Sequence, residues 1–387
     1  TMPFRQNNDL FYLSGVDQEE TILIVFPDAP SDKYREILFL KETSEEIAIW
    51  EGEKLTKEAA KKATGIQTIF WLQDFEKVLR TIAYEADTIY LNDNEHLRAN
   101  PVVQTRDDRF RDWIKKEYPE HSYARVAPIT DYIRSIKEEE EIELMQNACN
   151  ITAKGVDRIL KFIEPGVMEY EIEAELMHEF LRNRSRGFAY SPIIASGFNA
   201  CVLHYIENNQ KCEDGDLILM DFGAEYANYA SDLTRTIPVN GKFTDRQKDV
   251  YNAVLRVMRG AEGILQAGIT LNDYHRQVGD MMTKELLELG LISEEEVKNE
   301  NPEWPAYKKY FMHGTSHYIG LDVHDVGSWY KPIEEGMVFT IEPGIYIREE
   351  NMGIRLENNY VVKKGGLVNL MAHIPIEVED IEKAMSA

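Results

Sequence analysis

Two stretches of this chain each read as a pair of β-rich runs around a polar turn, and each places two acids symmetrically about that turn. In 216–238, DLILMDFGAEYANYASDLTRTIP, Asp221 and Asp232 are equidistant from a turn centred on Tyr226 and Ala227. In 338–362, VFTIEPGIYIREENMGIRLENNYVV, Glu342 and Glu357 are equidistant from the polar tract 348–351. An antiparallel hairpin would set each acid opposite its mate, with Cβ atoms about 4.5–5.5 Å apart, where like charges destabilise a sheet unless a cation lies between them. A longer loop in which both aspartates reach water is the alternative for the first pair. Pro343 cannot donate a ladder hydrogen bond, so the second ladder is expected to break or bulge just past Glu342.

A third stretch, 313–327, reads HGTSHYIGLDVHDVG and holds His313, His317 and His324. The four-residue step from His313 to His317 suits a zinc-binding helix, but no Glu follows the first His, and two glycines among β-branched neighbours argue for strand and loop. One of these imidazoles is expected to join the four acids. Four carboxylates with one imidazole carry about four negative charges, which two divalent cations would balance. Oxygen-rich ligation without thiolate favours Mn2+ and leaves Co2+, Fe2+ or Zn2+ open, because Cys149, Cys201 and Cys212 have no ligand spacing. A two-metal centre of this kind lowers the pKa of a shared water and polarises a carbonyl, as amide hydrolysis requires.

The rest of the chain sets the frame. Its 387 residues suit two or three domains, and a formal charge of −25 without a basic patch disfavours nucleic acid and anionic membrane as partners. The longest apolar runs fall far short of the roughly 18 residues that span a bilayer, no export signal opens the chain, and a reducing cytoplasm is the expected compartment. Residues 21–26, 37–40, 47–50 and 88–91 read as strands and 57–62 and 75–83 as helices, a small α/β domain over 1–130 that opens on a strand-like segment around Phe11. A helix over 137–162, acidic at its start, begins a second domain over 136–387. That domain carries an internal echo: 163–172 and 265–274 each open a helix, with Gly166 and Gly268 in the same place, and each is followed by strand-like sequence, at 189–197 and 309–320.

At the segments MDFGAEYANYASDLTRT, HGTSHYIGLDVHDVG, TIEPGIYI and GIRLENNYVV the chain resembles the Xaa-Pro aminopeptidases (aminopeptidases P), of the metallopeptidase family that includes prolidase and methionine aminopeptidase. The likeness extends through FRQNNDLFYLSG and IAIWEG and so covers nearly the whole chain. It implies an α/β protein with a small creatinase-like N-terminal domain and a duplicated ααββ-type catalytic domain, the pita-bread fold. It also implies that relatives carry about fifty further residues before the point where this chain begins. By position, the metal ligands fall on Asp221, Asp232, His317, Glu342 and Glu357, the same acids that the hairpins select. The resemblance further implies that His204 and His324 contact substrate and stabilise the tetrahedral intermediate. Glu342 would shuttle a proton to the leaving proline nitrogen, His313 would lie beside the proline ring, and Arg355 would support the metal ligands. Trp50 lies in a run that reads as strand, and its likeness to the IW-x-G tryptophan of tetrameric relatives implies that it reaches a neighbouring subunit's site in a homodimer or homotetramer. The substrates implied are peptides with proline second. Prolidase uses the same centre on dipeptides; the Ser316-His317 pair and the IW-x-G segment look more like aminopeptidase P. A non-enzymatic pita-bread binding module would lack the full ligand set.

Overall fold

In the first part of the chain a central strand is buried on both faces, and the sequence alternation sorts its side chains between two cores. The computed structural model describes residues 4–95 and 102–386, which divide into two compact units, Thr1–Arg134 and Ser135–Ala387. The first unit runs α1 (Asn8–Ser14), β1 (Ile22–Val25), β2 (Glu36–Leu40), α2 (Glu45–Glu51), α3 (Lys57–Thr64), β3 (Thr68–Trp71), α4 (Phe75–Ala83), β4 (Thr88–Leu91), α5 (Arg106–Glu117), β5 (Ser122–Arg125) and α6 (Ala127–Ser135). Strand β2 pairs antiparallel with β1 and parallel with β3, and β4 pairs parallel with β5. Ile37 and Phe39 join Phe75, Leu79 and Ile114 on one face, while Leu38 and Leu40 join Val16, Ala60 and Ile69 on the other.

Two segments expected as strand are helices here, and capping explains both. Around Phe11, the Asn7 side chain accepts from Leu10 N and Gly15 closes the helix in the left-handed region, φ 68°. At 47–50, Ser44 accepts from Ile47 N, Glu45 and Glu46 fill the first turn, and Gly52 ends α2. Trp50 therefore stands on a short helix, not on a sheet.

The second unit is a duplication. Its elements are α7 (Glu139–Ile159), α8 (Glu169–Arg182), β6 (Ile193–Ser196), β7 (Leu217–Phe222), β8 (Glu225–Tyr226), β9 (Tyr229–Ala230), β10 (Leu233–Pro238), α9 (Asp245–Ile264), α10 (Leu271–Glu288), α11 (Glu294–Lys298), β11 (Val338–Ile341), β12 (Gly344–Ile347), β13 (Met352–Arg355), β14 (Asn358–Lys363), β15 (Gly366–Asn369) and α12 (Val378–Met385). Gly166 and Gly268 both adopt positive φ, 103° and 94°. Their N–H groups donate to equivalent carbonyls, Cys212 O at 2.8 Å and Ile333 O at 2.9 Å. Met168 then bridges Lys211 and Thr270 bridges Pro332. Strands β7 and β11 each begin five residues after those carbonyls, at Leu217 and Val338. Asp221 and Glu342 consequently occupy the same place in the two halves.

The sheets are β10-β7-β6 and β11-β14-β15, with β12-β13 and β8-β9 as two-stranded ribbons. In the second hairpin the register is the one read from the sequence. Gly344 pairs with Arg355 and Ile341 with Asn358, and the ladder is interrupted where Glu342-Pro343 faces Leu356-Glu357. In the first hairpin the register differs by one step. Asp221 lies opposite Thr234, not opposite Asp232, because the turn falls at Ala227-Asn228, whose φ values of 50° and 71° are the two left-handed positions of a tight hairpin turn. The shift preserves the alternation, so both aspartates stay on one face as diagonal neighbours. Segment 309–320, expected as strand, is mostly irregular; it lies along β11 through the bridge Tyr318–Phe339 and backbone bonds such as Thr340 N to His317 O and Ile319 N to Val338 O.

Gly223 is where the first hairpin tightens: a Cβ there would lie 1.8 Å from Ser231 O. Gly223→Ala is expected to destabilise the protein by about 3 kcal/mol or more. Gly263→Ala, in helix α9 with open space around it, should be neutral or stabilising by up to about 1 kcal/mol. Denaturant unfolding of both variants checks this; equal stability would contradict the close approach.

Candidate metal centre

Each of the four acids is delivered by a distinct piece of the duplicated sheet, and His317 by the irregular segment before β11. Asp221 is on β7, Asp232 immediately precedes β10, Glu342 follows β11 and Glu357 precedes β14. Ligand atoms of Asp232, His317 and Glu357 lie within 4.8 Å of one another. His317 Nε2 is 3.5 Å from Asp232 Oδ2 and 3.6 Å from Glu342 Oε1. Asp221 joins through Tyr190, whose hydroxyl is 2.5 Å from Asp221 Oδ1 and 2.5 Å from Asp232 Oδ1.

Backbone and side-chain contacts hold these acids in place. Glu342 and Glu357 are a non-hydrogen-bonded pair of the second hairpin, so their N–H groups point outward: Glu342 N donates to Thr315 O at 2.8 Å, and Glu357 N donates to Thr234 O at 3.0 Å. Thr234 Oγ1 donates to Glu357 Oε2 at 2.7 Å. Asn359 accepts from Asp232 N at 3.0 Å and donates back to Asp232 O at 2.8 Å. The buried Arg235 guanidinium reaches Glu357 O, Thr234 O, Pro375 O and Asn358 Oδ1 at 2.8–2.9 Å.

Arg355 supports Asp221 directly: its Nη2 is 2.6 Å from Asp221 Oδ2, and its Nη1 donates to the Tyr346 hydroxyl at 2.8 Å. That hydroxyl lies 2.7 Å from His313 Nε2, while His313 Nδ1 lies 2.7 Å from Gly314 O. The carbonyl can only accept, so His313 carries its proton on Nδ1 and accepts from Tyr346. His317 is set the same way, with Nδ1 2.9 Å from Tyr318 O, which leaves the Nε2 lone pair facing the acids.

The electrostatics fit a cation site. Burial, with Asp232, Glu342 and Asp221 beside it, raises Glu357 well above the carboxylate range. Burial likewise pushes Glu342 up to about 7 against the charges of His317 and Arg355, and raises Asp221 although Arg355 opposes this. Burial and the Arg355 charge push His313 down to about 3. For His317 burial acts downward but is outweighed by the Asp232 hydrogen bond and the Glu342 charge, and the net direction is up. Glu357 Oε1 is buried without a hydrogen-bond partner. Confined acids, an orphaned carboxylate oxygen and a presented imidazole lone pair are the donor set that divalent cations satisfy.

The remaining residues singled out from sequence fall on the rim or elsewhere. His324 packs its ring 4.2 Å from that of His317. The next residue, Asp325, forms an ion pair with Lys137 at 3.1 Å in which both side chains are 1% exposed. His204 is exposed, on the segment following β6, and its charge is one of the influences that lower His313. Trp50 is in the first unit and 83% exposed.

Sequence reading missed Tyr190, Thr234, Arg235, Tyr346 and Asn359. For two of them a signal exists: Thr234 and Asn359 stand two residues beyond Asp232 and Glu357, the spacing that places polar neighbours on one face of a strand. Tyr190, before β6, has no such periodic mark.

Comparison with known proteins gives the family. Residues 143–364 match metallopeptidase family M24, and residues 1–90 match the aminopeptidase P N-terminal domain. The chain is 35% identical to the Xaa-Pro aminopeptidase of Haemophilus influenzae, over 100% of this chain and 89% of that one. It is 33% identical to the Escherichia coli Xaa-Pro aminopeptidase, over 100% and 90%. Among solved structures, aminopeptidase PepP of Pseudomonas aeruginosa superposes with a TM-score of 0.89 at 32% identity, covering 100% of this chain and 90% of that one. Zn-substituted E. coli aminopeptidase P in complex with product gives 0.86 at 32% identity, with the same coverage. The chain belongs to metallopeptidase family M24. It is accordingly a metallopeptidase that joins an aminopeptidase P N-terminal domain to a pita-bread catalytic domain.

Glu357→Gln and Asp232→Asn are each expected to lower bound divalent metal from about two ions per chain to about one or fewer, with unchanged far-ultraviolet circular dichroism. Elemental analysis after gel filtration in Mn2+ checks this; full metal content in both variants would contradict the ligand assignment.

Proposed function

We propose that this metallopeptidase removes the N-terminal residue from peptides whose second residue is proline. The observation that carries this reading is the convergence of Asp221, Asp232, His317, Glu342 and Glu357, with Glu357 Oε1 buried and unpartnered, in a chain that matches Xaa-Pro aminopeptidases over its whole length. Those five residues would hold two divalent cations, Mn2+ best by ligand chemistry, which when bound acidify a shared water and polarise the scissile carbonyl.

The chain's own groups do the rest. Glu342 takes a proton from the attacking water and passes it to the proline nitrogen as the C–N bond breaks. His204 and His324 donate to the carbonyl oxygen as negative charge develops there. His313, neutral and held by Tyr346 and Gly314, lies beside the proline ring. Arg355 fixes Asp221. Exposed Ile49 and Trp50, 78% and 83% accessible on one short helix, support self-association, with Trp50 closing the proline side of a neighbouring subunit's site in a dimer or tetramer. Free, buried Cys149, Cys201 and Cys212 suit the reducing cytoplasm. Among the described residues no helix is long and apolar enough to cross a membrane.

Hydrolysis of an Xaa-Pro-Xaa tripeptide beside an Xaa-Pro dipeptide, in Mn2+ and with chelator, tests this reading. Preference for the tripeptide, lost with chelator, is expected; cleavage of the dipeptide alone would make the protein a prolidase. His324→Ala should lower kcat by about 10²-fold or more at full metal content. Trp50→Ala should reduce both kcat/KM and the oligomer mass seen by sedimentation, and no change in either would remove Trp50 from the site.

A further inference from the structure

Glu169 is fully buried at the first position of α8, and among the described residues no basic side chain forms an ion pair with it. Its carboxylate instead gathers five donors from one stretch of chain. Oε1 accepts from Ser196 N at 2.8 Å, Ser196 Oγ at 2.7 Å and Asn199 Nδ2 at 3.4 Å. Oε2 accepts from the Tyr205 hydroxyl at 2.7 Å and Gln210 N at 2.9 Å. A buried carboxylate is costly unless its oxygens are saturated, and here saturation and the positive helix N-terminus supply the compensation.

The donors bracket His204. Ser196 ends β6 before it, Tyr205 follows it directly, and Gln210 closes the segment. Tyr205 and the half-buried Leu203, on either side of His204, pack in the same apolar cluster as Tyr346, whose hydroxyl contacts His313 and Arg355. His204 itself is exposed and so depends on these anchors for its place. We propose that Glu169 is a positioning residue for catalysis, fixing the 196–210 segment so that His204 faces the scissile carbonyl. The inference rests on the role given above to His204.

The cycle formed by Glu169→Gln, His204→Ala and the double variant tests it, on the Mn2+-loaded full chain with the tripeptide. An amide at this place turns one donor toward Tyr205 and Gln210, which are donors themselves. Glu169→Gln is expected to lower kcat about 10- to 100-fold with KM and metal content little changed, and to cost nothing more in the His204→Ala background. Tyr205→Phe, which removes one donor and spares the carboxylate, should lower kcat several-fold and decides the matter if Glu169→Gln does not fold. Glu171→Gln, at the exposed capping position of the same helix, should stay within about two-fold of wild type, so a loss there would assign the effect to the helix and overturn the proposal. Additive losses in the double variant, or a kcat within two-fold for both Glu169→Gln and Tyr205→Phe, would also overturn it. If His204→Ala alone is within two-fold, the role of His204 fails and this inference with it, whereas a large loss there beside an additive Glu169→Gln sinks only the inference.

Discussion

In the second hairpin Glu342 and Glu357 face each other with their N–H groups turned outward, and the site depends on what those groups meet. Pro343 has no N–H, so the ladder between β11-β12 and β13-β14 lapses where Glu342-Pro343 faces Leu356-Glu357. Leu356 N still reaches Pro343 O at 3.2 Å, so the adjacent pair Glu342 and Glu357 is of the non-hydrogen-bonded kind and its N–H groups point away from the hairpin: Glu342 N binds Thr315 O, which draws in the segment carrying His317, and Glu357 N binds Thr234 O, which draws in β10 and Asp232. These outward bonds join the two halves of the duplication and gather their acids into one cluster.

Bringing those acids together has an electrostatic cost. Two unit charges about 4 Å apart interact by about 4 kcal/mol at an effective dielectric near 20, and burial adds to this, as the upward shifts at Asp221, Glu342 and Glu357 show. Among the described residues Arg355 is the only guanidinium that forms an ion pair with a carboxylate of the cluster, that of Asp221. Thr234, Asn359 and Arg235 fix backbone and oxygen positions without neutralising charge. Protons or cations placed among the carboxylates can do that, and so the same packing that makes the charged cluster unfavourable when bare favours divalent metal at the site.

Much of this was legible in the sequence because β-hairpins are symmetric about their turns. Glu342 and Glu357 could be paired from spacing alone, and Pro343 marked the break. The first hairpin came out one step off because a turn's position depends on which residues accept left-handed backbone; Asn228 takes that conformation readily, and centring the turn on Ala227-Asn228 would have set Asp221 opposite Thr234. Parity rescued the functional conclusion, since a step of two residues keeps the face. The strand expected at 47–50 is a helix: Ile47 to Trp50 has a strand's composition, but Ser44, Glu45, Glu46 and Gly52 supply caps that favour helix. What spacing could not reveal was long-range: Tyr190 meets Asp221 and Asp232 only through the pairing of β6 with β7, and Arg235 reaches Pro375 from a strand far away in sequence.

Whether the four carboxylates and His317 form one centre for two cations that cleaves before proline is decided by titrating chelator-stripped protein with Mn2+ while following tripeptide hydrolysis and bound metal together. Activity should be absent at the start and rise to a plateau at about two equivalents per chain. Full activity in the stripped protein, or a plateau of bound metal with no cleavage of any Xaa-Pro-Xaa peptide, would contradict such a centre.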